Sequence, residues 1–196
     1  MIQEKQKSVF ERAIDLAVRA HCGMVRKKDG SPYILHPLEA AVIAGTMTRD
    51  EEVLAAAVLH DAVEDTEATL EDVRECCGDR VMELVAAETE DKRHDQPAAA
   101  TWRLRKEESL RDLRDSGDKA VKILWLSDKL SNVRSFYRLW KVQGDAIWNG
   151  FNEKNVSEQA WYYRTIALHL EDLKDTDAWT EYDNLTRTIF SVQEGE

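Results

Sequence analysis

Proline is scarce in this chain, with three in 196 residues, and glycine is little commoner at eight. Both residues interrupt helices. Long strand-like apolar runs are missing as well, so an all-α fold is favoured. Cysteine is as rare as proline: Cys22, Cys76 and Cys77 make an odd count, two of them adjacent, with no C-x-x-C. That argues against a disulfide framework and against a cysteine-ligated zinc, and fits a reduced cytoplasm. No stretch approaches the roughly 18 apolar residues of a membrane span. Met1-Ile2-Gln3-Glu4-Lys5 has no signal-peptide pattern. Positive charge is in deficit, with 27 Lys and Arg against 38 Asp and Glu, a net charge of −11. So acidic a chain lacks the basic stripe that holds nucleic-acid phosphates. A small phosphate ligand is different, because it needs only a local cation cluster and a metal.

What is present reads as helix after helix. A hydrophobic content of 43% and a charged content of 33% are those of a soluble globular protein. The length suits one domain over residues 1–196, and no repeat, low-complexity tract or linker divides it. Val9, Phe10, Ala13, Ile14, Ala17 and Val18 define a first amphipathic helix from Glu4 to Ala20, with Gly23 able to end it. His21, beside that end, is placed either to meet free carbonyls or to join a site. Pro37 to Met47 reads as a second helix with Leu38, Ala41, Val42 and Ala44 inward. Asp50 is an N-cap for the third. Thr69 and Asp72 form a capping box for a short helix closed by Gly78. Another helix runs from Asp79 through Val85 into a polar loop, Glu88 to Ala100. Thr101 to Arg114 is a charged helix whose Arg103, Arg105 and Lys106 are expected to face solvent, with one of them able to reach a ligand. Ala120–Arg134, Ser157–Leu173 and about Ala178–Val192 follow as helices, with a connection from Trp140 to Asn152.

Three stretches carry polar groups that ordinary packing does not explain. The first is Leu59-His60-Asp61-Ala62-Val63-Glu64-Asp65-Thr66, which continues the Ala- and Leu-rich Glu51–Val58 helix. On a continuing helix Glu64 lies one turn beyond His60, and Asp65 one turn beyond Asp61. Burying an imidazole and three carboxylates without partners costs several kcal/mol. A divalent cation is the simplest partner, and His with carboxylate oxygens suits Mn, Fe, Zn or Mg. The plainer alternative is a helix end with a solvated acidic tail.

The second stretch is Val25-Arg26-Lys27-Lys28-Asp29-Gly30-Ser31-Pro32-Tyr33, a loop or tiny hairpin by its Asp-Gly and Ser-Pro turn signals. Its three consecutive cations are either a solvated run or the lip of a phosphate site. The second alternative gains from position, because the loop leads directly into His36-Pro37. The third stretch is Ala120 to Arg134, where apolar residues surround Asp128 in both directions. Such an Asp is either metal-bound or paired with Lys129 or Arg134. Asn132 lies one turn along on the same face.

His36, then His60-Asp61, then a remote Asp128 resembles the H…HD…D order of the HD metal-dependent phosphohydrolases. Arg26 to Pro37 is similar to the R-K-x-G-x-P-Y-x-x-H-P signature of RelA/SpoT-type hydrolase domains, with one extra residue before the glycine. Leu59 to Thr66 resembles their L-H-D-x-V-E-D-T, and Leu126 to Asn132 their L-A-D-[KR]-x-x-N, with Ser127 in place of Ala. The likeness runs from about residue 13 to about residue 170. It implies a single-domain HD-type helical bundle with at most a tiny hairpin near residues 25–34. It further implies hydrolysis of guanosine tetra- and pentaphosphate at the 3′ position, usually with Mn. It makes His36, His60, Asp61 and Asp128 the metal ligands and Glu64 and Asp65 the catalytic pair. Arg26, Lys27, Asn132 and Tyr162 become substrate contacts. No synthetase domain is recognisable, so a small hydrolase-only member is expected, with a nucleotide substrate and neither nucleic acid nor membrane as partner. Two alternatives stand beside it: a phosphatase for another nucleotide such as NADPH, and a catalytically silent nucleotide sensor.

Overall fold

The computed structural model describes residues 6–27, 29–93 and 95–191. Lys28 of the basic run, His94 of the polar loop, Val192 and the first five residues lie outside the described residues. The fold is all-α. Among the described residues the only β pairing is an isolated antiparallel bridge between Val25 and Pro32, the expected tiny hairpin. Also among them, no helix is long and apolar enough to cross a membrane. The chain divides into two compact units, Met1–Thr89 and Glu90–Glu196.

The first unit holds α1 (Val9–Ala20), α2 (Leu35–Met47), α3 (Glu51–Leu59), α4 (Ala62–Asp65), α5 (Leu70–Cys77) and α6 (Asp79–Glu88). Its centre is α3, which packs against α1, α2 and α6. The reason is in its composition: Val53 and Ala55 through Leu59 are all buried, so the helix has no polar face to give to water. Three successive alanines, Ala55 to Ala57, let neighbouring helices approach closely. The helix starts where expected, with the Asp50 carboxylate accepting from the Glu52 N–H at 2.9 Å. Helix α1 begins at Val9, the first residue of its apolar pattern, and does not include Gln6 and Lys7 of the expected Glu4–Ala20 span, because Ser8 and Glu11 close a capping box there. Thr69 and Asp72 close the second expected box at the start of α5. One inward assignment fails: Val42 of α2 is 70% exposed.

The second unit holds α7 (Ala98–Asp115), α8 (Lys119–Gln143), α9 (Val156–His169) and α10 (Asp177–Ile189). Helix α8 runs nine residues beyond the expected Arg134, and α10 packs along it. The expected connection after Trp140 is instead the end of α8 and a 3₁₀ turn, Gly144–Gly150, which folds back on it. Apolar side chains drive that reversal. Trp148 meets Phe136 at 6.0 Å and Phe190 at 5.2 Å between ring centres. Ser127, fully buried in α8, satisfies its hydroxyl on the Ile123 carbonyl at 2.7 Å, which is how a polar residue is accommodated there.

The polar loop is tied down at its start, while Asp95 to Pro97 are exposed and Ala98 to Ala100 already belong to α7. Glu90, which begins this unit, forms an ion pair with Arg105 of α7 and accepts from Lys106 at 2.8 Å. Arg105 is therefore buried, at 6% exposure, against the expectation that it faces solvent. Helical periodicity could not reveal this, because the partner carboxylate comes from the loop. Burial alone would raise the Glu90 pKa; Lys106 and Arg105 outweigh it and hold the carboxyl below its ordinary value.

Candidate metal centre

The helical reading of Leu59–Thr66 needs one correction. Helix α3 stops at Leu59, His60 and Asp61 form a turn, and the short α4 starts afresh at Ala62. The His60 ring takes part in the break. Its Nδ1 lies 2.8 Å from the Ala57 carbonyl, which in an unbroken helix belongs to the Asp61 N–H. The one-turn relation between Asp61 and Asp65 survives, with the Asp65 N–H donating to the Asp61 carbonyl at 2.9 Å.

His36 arrives from the first turn of α2. Pro37 follows it without loss, because helix N–H groups in the first turn have no partner in the helix anyway. The His36 and His60 rings meet edge to face with centres 5.0 Å apart, and both are buried. Their Nε2 atoms are 3.3 Å apart. The Asp61 Oδ2 completes a triangle, 3.4 Å from His36 Nε2 and 3.3 Å from His60 Nε2.

Three lone-pair atoms that face one another repel unless a proton or a cation sits among them. Ligands about 2.0–2.2 Å from one ion, at near right angles, stand about 3 Å apart. The triangle has those dimensions. A His60 Nδ1–H held by a backbone carbonyl leaves Nε2 as a lone pair facing the triangle, the usual arrangement for a metal-binding imidazole. Burial alone would raise the Asp61 pKa, but the facing His60 and His36 outweigh it and hold the carboxyl well below the usual range. The donor set thus fits a hard or borderline divalent ion.

Around this triangle lie groups of the same unit. Tyr33 places its hydroxyl 2.7 Å from Asp61 Oδ2 and 2.5 Å from Asp65 Oδ2. Burial and the two carboxylates push its phenol far above the usual range, so it stays a hydrogen-bond donor. Behind Tyr33, His21 stacks on the ring with centres 4.9 Å apart and planes inclined by 21°. His21 is 2% exposed and neither ring nitrogen has a hydrogen-bond partner among the described residues. Burial lowers its pKa against the pull of Asp61 and Asp65, so the ring is held neutral.

The hairpin aims the basic loop. Arg26 N–H donates to the Ser31 carbonyl at 2.8 Å and Tyr33 N–H to the Met24 carbonyl at 2.9 Å. A groove of about 390 Å³ runs beside it, lined by Met24, Val25, Arg26, Lys27, Tyr33 and Asp65. Lys27 is exposed, while Arg26, Glu64 and Asp65 are half-buried. The structure therefore brings His36, His60 and Asp61 together, with Asp65 one hydroxyl away and the two cations on the same groove. Tyr33 had no assigned part, and of the two places open to His21, the free carbonyls or the site, the structure puts it behind Tyr33 at the site. Tyr33 lies inside the Pro32-Tyr33 signature, yet nothing in its spacing tells which carboxylates it reaches.

In the second unit Asp128 is buried within α8. The Asn132 amide donates to its Oδ1 at 2.6 Å, as the one-turn spacing predicts, and Lys129 pairs with its Oδ2. Arg134 is engaged elsewhere, with Glu181 at 2.6 Å. Tyr162 is buried at 3% exposure in an aromatic cluster, 5.9 Å from Trp102 and 5.2 Å from Tyr163 between ring centres, with Lys106 Nζ 5.1 Å above its ring.

Residues 13–151 match the model of the HD domain family, so the chain belongs to that family. Among curated relatives, the guanosine-3′,5′-bis(diphosphate) 3′-pyrophosphohydrolase of Aquifex aeolicus is 35% identical over 130 residues, covering 65% of this chain and 18% of the relative. The GTP pyrophosphokinase of Streptomyces coelicolor is 34% identical over 191 residues, covering 92% of this chain and 21% of the relative. The chain thus spans about a fifth of the length of these relatives. Among solved structures, Listeria monocytogenes lmo0812 superposes with a TM-score of 0.69 at 35% identity, over 83% of this chain and 98% of that one. A metazoan SpoT ortholog, described as hydrolysing ppGpp, has the same fold, with a TM-score of 0.72 at 24% identity over 95% of this chain and 98% of that one.

Proposed function

We propose that this protein is a metal-dependent hydrolase that removes the 3′-diphosphate of guanosine 3′,5′-bis(diphosphate) and its pentaphosphate homologue. The observation that carries the reading is the His36–His60–Asp61 triangle beside a groove lined by Arg26, Lys27 and Asp65. The Aquifex relative, whose name states this activity, supports the choice of substrate. Asp128 is the fourth ligand by the H…HD…D order, and the family match, which runs from residue 13 to residue 151, supports treating both compact units as one HD-type domain. Asn132 and Tyr162 are assigned to the nucleotide by the same resemblance. Manganese is the assigned metal, with Fe, Zn and Mg suited to the same donors.

A divalent ion at the triangle, when bound, supplies Lewis acidity that brings water ionisation toward neutral pH. The chain's own groups do the rest. Glu64 or Asp65 orients the attacking water and takes its proton. The water oxygen bonds to the phosphorus attached to the ribose 3′ oxygen. The bond from that phosphorus to the 3′ oxygen breaks, the 3′ oxygen takes up a proton, and pyrophosphate leaves with GDP or GTP remaining. Arg26 and Lys27 neutralise the diphosphate as its charge is redistributed.

The test is turnover by the Mn-loaded protein on three substrates: guanosine tetraphosphate, NADPH and a generic phosphomonoester. Release of pyrophosphate and GDP from the first, well above the rates on the others, is the expected result. A preference for NADPH would make the protein a phosphatase of another nucleotide. Binding of guanosine tetraphosphate without turnover would make it a sensor.

A further inference from the structure

We propose that Tyr33, braced by His21, is a positioning residue that holds the catalytic Asp65 at a fixed offset from the ligand Asp61. The inference rests on the hydrolase reading for its kinetic part and on the His36–His60–Asp61 triangle alone for the rest. A single phenolic hydroxyl lies 2.7 Å from one carboxylate and 2.5 Å from the other. It has one proton to donate, so it serves the two oxygens as a shared hinge. Asp61 and Asp65 are joined through the backbone by the first turn leading into α4 and through their side chains by Tyr33. A carboxylate that must meet a water beside a metal gains from such a tie, because small displacements of a catalytic group lower rates steeply. The Tyr33 ring is itself placed from two directions. Its backbone N–H is held by Met24 across the hairpin, and its face is covered by His21.

His21 is hard to explain otherwise. It is a buried imidazole without hydrogen-bond partners among the described residues, and burial of unpaired polar groups costs free energy. Among the described residues its ring packs in a nearly parallel stack on Tyr33. A flat ring at that place stops Tyr33 from swinging away from the two carboxylates. Tyr33 also lines the groove next to Arg26, Lys27 and Asp65, so the tie borders the space assigned to substrate.

Tyr33→Phe keeps the ring and the stack and removes only the hydroxyl. Mn²⁺ titration of the purified protein should give an affinity weaker by about 10-fold, as for loss of an outer partner of a metal ligand. With saturating Mn²⁺, kcat on guanosine tetraphosphate should fall at least about 10-fold while KM stays within about twofold. The thermal midpoint of the metal-free protein should stay close to that of wild type. His21→Ala should reproduce both losses, and His21→Phe, which restores a flat ring, should recover most of each. Wild-type Mn²⁺ affinity and wild-type kcat in Tyr33→Phe would overturn the proposal. So would a His21→Phe protein that is stable yet as impaired as His21→Ala, since that assigns His21 something other than a brace. A wild-type protein that binds Mn²⁺ but does not act on guanosine tetraphosphate would overturn the substrate reading instead, and the Mn²⁺ arm would still decide Tyr33.

Discussion

His60 points its Nδ1 at the Ala57 carbonyl, 2.8 Å away, and thereby commits its Nε2 to the face shared with His36 and Asp61. This relation predicts a tautomer. ¹⁵N chemical shifts of the metal-free protein near pH 8 should show His60 protonated at Nδ1 with a bare Nε2. Added Zn²⁺, used because it is diamagnetic, should move the Nε2 resonance and leave Nδ1 protonated. A bare Nδ1 would remove His60 from the set of ligands.

Asp128, assigned as a ligand by the H…HD…D order, can be tested by truncation. Asp128→Ala removes the carboxylate that Lys129 and Asn132 hold. Metal stoichiometry and turnover should be lost together. Retention of one Mn²⁺ per chain with near-normal turnover would show that Asp128 serves only Lys129 and Asn132.

Glu64→Gln and Asp65→Asn should behave differently. These groups belong to α4, beyond the triangle, so Mn²⁺ should remain bound in both variants. Turnover should fall by about 10²-fold or more in whichever carboxylate handles the water, a typical loss for a general base. Calorimetric titration with Mn²⁺ beside steady-state kinetics separates the two effects.

Lys27→Ala examines the basic lip. Lys27 is exposed on the groove and carries no lone pair for the ion while charged. A charge-assisted contact to phosphate is worth roughly 1.5–3 kcal/mol, so hydrolysis of a 3′-diphosphate should drop about 10- to 100-fold. A 3′-monophosphate should lose less, and the difference should shrink at high salt. Equal losses for both substrates would mean that the loop only shapes the approach to His36.

Glu90 predicts an acid limb of stability. Its carboxyl is held below its ordinary value of 4.5 in the folded protein, despite burial, by Lys106 and Arg105. A depressed carboxyl contributes stability that is fully present above the unfolded pKa and is lost as pH falls through the folded one. The wild-type thermal midpoint should therefore decline below about pH 4.5 more steeply than that of Glu90→Gln. At neutral pH the variant should be the less stable, because Arg105 stays buried without its counter-charge.

Much of this protein was determined by sequence alone. Scarce proline and glycine, with apolar residues at helical spacing, dictate an all-α chain, and the Asp50 cap and the Thr69–Asp72 box start their helices as written. The proposed ligands are legible in two ways: His60 and Asp61 continue an apolar helix where unpaired polar groups would be costly, and His36 stands in the motif that follows the basic loop. Asn132 beneath Asp128 follows from one helical turn. These are local properties, set by the periodicity of a single element.

The relations between elements distant in the chain come from the folded arrangement. No spacing rule brings the Tyr33 hydroxyl between Asp61 and Asp65, or lays His21 on its ring. The break of α3 at His60 depends on a side chain competing for a backbone carbonyl, which periodicity does not record. Arg105 reads as a solvated helix residue until Glu90 arrives from the loop. In each case the deciding partner comes from another segment or from the backbone, and only the folded arrangement brings it into contact.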